Sequence, residues 1–360
     1  MPQPDFSGLN TMLPIAVQSI GELLMAKNFI ESDLSQEITI VNGIKFQKKV
    51  GFINPMNDIG MKRTVGSCDF NTIDVTASTD EKTWTPLPWD TKSVYCADDY
   101  VNTIGEKALA DGIDQFDMVN TELWTLIVNQ LFPAIKRMYN RFIWMTDLDA
   151  AHTDDSPAGN ISPAVDIKLV GMQDGLWKRA FAIWAAAPSQ VVTIAANSEA
   201  TYALQTSALT KALALEYANK LYFDMPSVIR QALDLGGFYY KCTSSFMDKL
   251  VQNFQGLALE SMRVSLENGL KGIKIQGIAF VEDATQDHMI KKYNDNGTSL
   301  KYPHRVILMH KDNVLFGVPD TTKWGTFKMV FSEETDKMYI KMADKFDTMF
   351  LYDNLVMGAI

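Results

Sequence analysis

Residues 277–360 constrain this chain most, because they run as short apolar strands divided by acidic, glycine and proline turns. At their centre Val306, Ile307, Leu308 and Met309 form one apolar run. Lys311, Asp312 and Asn313 make a polar turn, and Val314, Leu315 and Phe316 form a second run stopped by Gly317 and Pro319. The pattern over 304–318 predicts a β-hairpin. Three further β-rich runs at 327–331, 338–342 and 349–352 are divided by the polar stretches 332–336 and 344–347, and 355–360 adds a closing strand. Acidic turns, rather than glycine-rich ligand loops, frame these strands, which suits a scaffold. The chain finishes on this segment without a tail, so trimming its last few residues is expected to cost folding first.

Upstream, Leu13, Val17, Ile20 and Leu24 recur at steps of four, three and four, with Pro14 suited to a first helical turn. An amphipathic helix of about 14 residues is marginal alone and needs a partner surface. From 37 to 98 the pattern turns to β. Asn42-Gly43 between the apolar runs 38–41 and 44–52 predicts a type I′ hairpin. Ile73, Val75 and Ala77 alternate with polar residues, while 54–58 and 84–89 carry prolines unsuited to a central strand. A ribbon of this kind cannot bury a core of its own and should lie on another surface. Leu123, Ile127, Leu131 and Ile135 then predict a helix over 120–142, capped by Asn120 and about 33 Å long. Pro133 inside it removes a backbone donor and should bend the axis. After a polar boundary at 146–163, the sequence predicts a strand at 165–170, a helix at 176–187 and a strand at 191–195. A helix over 198–223 capped by Ser198, a strand at 239–242, a helix to 254 and a glycine-punctuated β pair ending at 273–281 follow. Alternation of this kind implies a mixed sheet flanked by helices.

Composition narrows the function. The length suits two domains, and 33 basic against 43 acidic residues give a net charge of −10, which argues against a surface that grips phosphates. Cys68, Cys96 and Cys242 are too widely spaced for a disulfide framework or a zinc site. The first residues carry Asp5 and no basic residue, unlike a signal peptide, and the most apolar run, 180–188, is too short to span a membrane. A reducing cytoplasm is the expected setting. Nucleotide loops, a nucleophile elbow and a paired-histidine zinc motif are missing from the sequence. The one dense acid and histidine cluster is 147–155, with Asp147, Asp149, His152, Asp154 and Asp155, types that suit a hard cation. Residues 294–297 have calcium-loop types without the spacing and read as a turn. His304 and His310, six apart, would share a strand face. No catalytic residue and no cofactor is expected.

The run 313–318 after its Lys311-Asp312 turn, the strand-rich ending, and the upstream order of amphipathic helix, β-arm, long helix and mixed α/β region resemble the major capsid proteins of tailed bacteriophages, the Hong Kong 97-type fold. The resemblance implies an α+β fold with an N-terminal arm at 1–36 and an extended β-hairpin arm at 37–98. A peripheral domain of 99–150 and 319–360 would carry the spine helix, with an axial domain at 151–318. It further implies a virion structural protein, assembled in the host bacterial cytoplasm as pentamers and hexamers of an icosahedral shell around double-stranded DNA held without sequence specificity. Scaffolding, portal and decoration proteins would be separate chains, since no amino-terminal extension long enough for an internal scaffold is evident. Leu13, Val17, Ile20 and Leu24 in the first helix and Phe46, Phe52 and Trp84 in the arm would be contacts between subunits. Some members crosslink an arm lysine to an asparagine near the C-terminus, and Lys45, Lys48, Lys49 and Asn354 match by type. The alternatives are another phage component, a tail-tube or head-completion protein, or a cytosolic metal-dependent enzyme using 147–155.

Overall fold

The computed structural model describes residues 36–53, 79–96, 122–154, 159–254, 263–265, 271–319, 328–332 and 337–360. The expected first helix with Leu13, Val17, Ile20 and Leu24, the run 73–77, the Asn120 cap and Asp155 lie outside them. The first half contributes β1 (Thr39–Val41), β2 (Lys48–Ile53), β3 (Thr79–Trp84), β4 (Leu87–Cys96) and the long helix α1 (Glu122–Trp144). Next come α2 (Leu176–Ala186), β5 (Val191–Val192), α3 (Tyr202–Ala208), α4 (Lys211–Phe223), α5 (Ser227–Ala232), β6 (Tyr239–Cys242) and α6 (Ser244–Phe254). The rest is β7 (Arg263–Ser265), β8 (Lys271–Ile275), β9 (Ile278–Glu282), α7 (Ala284–Tyr293), β10 (Val306–Met309), β11 (Val314–Gly317), β12 (Lys328–Ser332), β13 (Lys337–Phe350) and β14 (Gly358–Ala359).

These strands build an α+β body with two sheets. A five-stranded sheet runs β1-β11-β13-β12 with β4 also on β13, a seven-stranded sheet runs β5-β14-β10-β6-β9-β8-β7, and β2 with β3 forms a separate ribbon. In the larger sheet the central strands β6, β9 and β10 are buried on both faces, as strands covered twice are. Tyr239, Val281, Ile307 and Met309 face α1 and α2, whereas Tyr240, Phe280, Val306 and Leu308 pack with α4 and α6. The first of these clusters also takes in Phe316, Ile340, Phe346 and Phe350 of the smaller sheet, so one apolar layer serves both. Phe142 of α1 stacks on Phe346 at 4.7 Å, and Trp89 of β4 meets it edge-on at 5.1 Å.

Several expected elements change. Residues 304–318 do not form a hairpin: β10 pairs with β6 and β14, β11 with β1 and β13. Both strands are buried on both faces and each finds neighbours on two sides, while a 3₁₀ turn at Lys311–Asn313, with Asp312 N–H donated to His310 Nδ1, carries the chain from one sheet to the other. His304 and His310 consequently flank the strand rather than share a face of it. Nor does Asn42-Gly43 close a hairpin. Gly43 has the positive φ of 81° that the turn needs, but its N–H and that of Ile44 donate to Pro319 and Val318 carbonyls, so β1 joins β11 in parallel and β2 pairs with β3.

The run 338–342 and the first two residues of 349–352 belong to one strand, which ends at Phe350. Ile340, Met342, Phe346 and Phe350 keep period two straight through the acidic 344–347, and β4 pairs along 337–346. Pro88 fits because β4 has only this one partner among the described residues. The expected strand at 165–170 is a short 3₁₀ turn capped by Asp166. The expected 198–223 helix is two, α3 and α4, because Thr201 and Thr210 each cap a new start and Ser198 caps neither. Helix α7, capped by Asp283, was not anticipated. The closing strand of 355–360 is β14, and it completes the larger sheet between β5 and β10.

Candidate assembly interface

The ribbon β2–β3 leaves the body at a fixed root. Trp84, the last residue of β3, is 0% exposed and packs with Ile44, Leu315 and Met349. Gly317 makes room for it, since a Cβ there would lie 2.8 Å from the indole. Thr85, which links β3 to β4, has both backbone groups held: its N–H donates to Asp347 Oδ2 at 2.7 Å and its carbonyl accepts Gln173 Nε2 at 2.8 Å. Asp347 Oδ1 also accepts from Arg179 Nη2 (2.7 Å), Gln173 Nε2 (2.9 Å) and Thr348 N–H (2.8 Å). Burial lifts this carboxyl above its ordinary value against the pull of Arg179 and its hydrogen bonds. Two residues earlier in β3, Lys82 Nζ donates to the Phe350 carbonyl at 2.7 Å and pairs with Asp353 at 2.5 Å.

Several residues of the ribbon and of the segment leading into it face water. Residues 45–49, Gly51, Glu81 and Thr83 are exposed, and Lys49 pairs with Glu81 across the strands at 2.6 Å. Phe46 is 76% exposed, with the Lys345 ammonium 5.2 Å from its ring centre. It borders a groove of about 750 Å³ lined also by Trp89, Asp90, Pro319, Asp344 and Lys345. Of the expected contact residues, Phe46 is therefore displayed, Phe52 sits in β2 opposite Asp80, and Trp84 is turned into its own core. Trp84 is a packing residue because the ribbon root needs an apolar anchor, and it is not available to a neighbour. Lys45 and Lys48 are exposed, and Asn354 is exposed in the 353–355 turn beside the Lys82–Asp353 pair.

Asp347, Gln173 and Arg179 were missed in the sequence. The available signal was an acid set inside an apolar β run, between Phe346 and Met349, which is out of pattern for a solvated turn.

The metal-site alternative loses its carboxylates to other partners. Asp147 is buried and accepts from Asn160 Nδ2 at 2.7 Å, from Asp149 N–H and from Lys178, which also binds Asp149, while His152 Nε2 meets the Val165 carbonyl at 2.8 Å. Among the described residues no group of three or more His, Cys, Asp or Glu could hold a metal ion. Residues 294–297 form the expected turn, with Asp295 and Asn296 accepting from following backbone N–H groups.

A cavity of about 690 Å³ between α3, α6 and α7 is lined by Gln205, Ser245, Asp287, Lys291 and His304. His304 Nε2 lies 3.0 Å from the Gln205 carbonyl, so it carries the proton and Nδ1 accepts from Ser245 Oγ at 2.8 Å. Asp287, however, takes the N–H groups of Ser244 and Ser245 and sets negative charge where an acyl-transfer intermediate needs donors. The pair pins α6 to the strand rather than arming a nucleophile. Burial holds His304 below its ordinary pKa, opposed by the Gln205 bond and by Asp287, with Lys249 adding to the lowering. The unfolded chain therefore binds a proton that the folded chain refuses. Stability is complete above the unfolded value of about 6.5 and is lost as pH falls below it. Denaturant titrations at about pH 7 and about pH 5 are expected to show this loss, and His304→Gln to show less of it.

No family model and no curated sequence matches the chain. Among solved structures it is similar to a chain of the satellite phage P4 procapsid that includes the size determination protein, at 10% identity over 97% of this chain and 98% of that one, with a TM-score of 0.44. It is likewise similar to the holo-SrpI encapsulin complex from Synechococcus elongatus, at 9% identity over 89% and 84%, with a TM-score of 0.44. A third similar structure is the capsid of the cyanophage P-SCSP1u, at 11% identity over 91% and 88%, with a TM-score of 0.46.

Proposed function

We propose that this chain is a structural protein of the Hong Kong 97 type, which tiles copies of itself into the icosahedral head of a tailed phage around double-stranded DNA. The β2–β3 ribbon carries the reading. Its root is fixed in the core by Trp84 and Asp347 while Lys48, Lys49, Gly51, Glu81 and Thr83 are exposed. A lone two-stranded ribbon is marginal in water, so this one is built to be covered. Closed symmetric rings of like subunits supply such a cover by repeating one contact. Phe46 is the first contact residue on this reading, with Phe52, Leu13, Val17, Ile20 and Leu24 as further ones. Scaffolding, portal and decoration proteins are separate chains, and the particle is assembled in the host cytoplasm.

Electron microscopy and light scattering of the purified protein test this, with closed shells or rings expected. A small oligomer under all conditions of salt and concentration would reject it. Phe46→Asp is expected to keep the parent's unfolding midpoint, since the ring is already in water, and to abolish particle formation. Normal shells from that variant would remove Phe46 from the interface.

A further inference from the structure

Lys241, in the middle strand of the larger sheet, is 6% exposed. Its ammonium contacts Glu37 Oε2 and lies 2.9 Å from Asp283 Oδ2, with the Trp144 ring centre 5.1 Å away. These groups come from three places: β6, the cap that follows β9, and the segment just before β1. Parallel pairing of β6 with β9, Lys241 opposite Val281 and Cys242 opposite Glu282, sets the amine beside the carboxylate. Asp283 Oδ1 accepts the Thr285 N–H at 2.9 Å, so its two oxygens have different roles. Buried ion pairs seldom repay their desolvation, and two carboxylates here share one cation. An amine, a carboxyl carbon, a second carboxylate able to move protons and a site largely shielded from bulk water are also what amide condensation requires.

We propose that Lys241 and Asp283 join in an isopeptide bond within the chain, with Glu37 as the proton carrier. Glu37 takes a proton from the Lys241 ammonium and passes it to Asp283 Oδ2, and the freed Nζ lone pair attacks Cγ of the now neutral carboxyl. Negative charge develops on Oδ1, where the Thr285 N–H already points. Oδ2 leaves as water with two of the three ammonium protons, both passed through Glu37, which ends as it began. The third proton stays on the amide nitrogen. No oxidant or other reactant is consumed. Held partners of this kind reach effective molarities of about 10⁵ M and above, which is how the fold makes a reaction between two weak partners productive. The bond ties β6 to the start of α7 and does not depend on the shell reading.

The test is intact-mass spectrometry of the full chain beside Lys241→Arg and Glu37→Gln, each checked for folding by circular dichroism. The parent is expected to be lighter than its sequence by one water, with proteolysis yielding a branched fragment that contains Lys241 and Asp283. Lys241→Arg and Glu37→Gln are expected at full sequence mass. A parent at full sequence mass overturns the proposal. So does loss of water that persists in Lys241→Arg, which would place the dehydration elsewhere. Full bond formation in Glu37→Gln overturns the role given to Glu37.

Discussion

Asp347→Ala is expected to lower the unfolding free energy by about 3–5 kcal/mol, the range for breaking a buried, hydrogen-bonded charge pair from one side. The substitution strips partners from Arg179, Gln173 and the Thr85 N–H together, and those of Gln173 and Thr348 have little water to turn to. Urea titration followed by tryptophan fluorescence reads the loss as an earlier midpoint. Arg179→Met alone should cost less, because Asp347 keeps two backbone donors and Gln173. The double substitution is expected to cost less than the two single ones summed, since each single variant leaves the other partner stranded. Strict additivity would show that the two residues are not coupled. Burial lifts the Asp347 carboxyl despite its partners, so part of what those partners contribute offsets its desolvation.

Trp84→Ala is the second large effect, about 3–5 kcal/mol for emptying a site of this size. The pocket floor is Leu315 and Met349 on adjacent strands and cannot collapse without moving the smaller sheet. The indole N–H meets no acceptor among the described residues, so Trp84→Phe keeps most of the apolar contact without orphaning a polar group and should recover much of the loss. Hydrogen exchange adds a local readout: amides of β2 and β3 are expected to exchange faster in Trp84→Ala than those of β10. Equal acceleration in both would mean that the tryptophan supports the whole body and not the ribbon root.

The sequence reveals elements more readily than partners. Runs such as 306–309 and 314–317 were legible because strands covered on both faces are apolar throughout, 239–242 was legible despite Lys241, and α1 was legible from its step-of-four pattern. For the same reason their pairing was not legible, since a strand apolar on both sides carries no sign of which sheet it joins. Proximity then suggested a hairpin where the chain in fact changes sheet. Thr210 shows another limit, since a cap inside a long apolar helical pattern reads as an ordinary helical residue until the break is seen. For the candidate interface, Phe46 and Trp84 are alike as residue types in one arm. Only the placement of Ile44, Leu315 and Gly317 separates the displayed ring from the buried one. Asp347, Gln173 and Arg179 come together from distant parts of the chain, and no local pattern links them.

The chain passes between its two sheets at 311–313 and again at 353–355, and Asn313 laces the crossings together. Its side chain accepts the Tyr352 N–H at 2.6 Å and donates to the Tyr352 carbonyl, while its own carbonyl accepts the Leu351 N–H. A hinge works through one supple crossing. Two crossings riveted side by side, beneath an apolar layer that both sheets share, resist tilt, shear and twist alike. The two sheets are expected to move as one unit. In the closed shell proposed for this chain, differences in angle around rings of five and six would then be taken up by the contacts between copies and not within one copy.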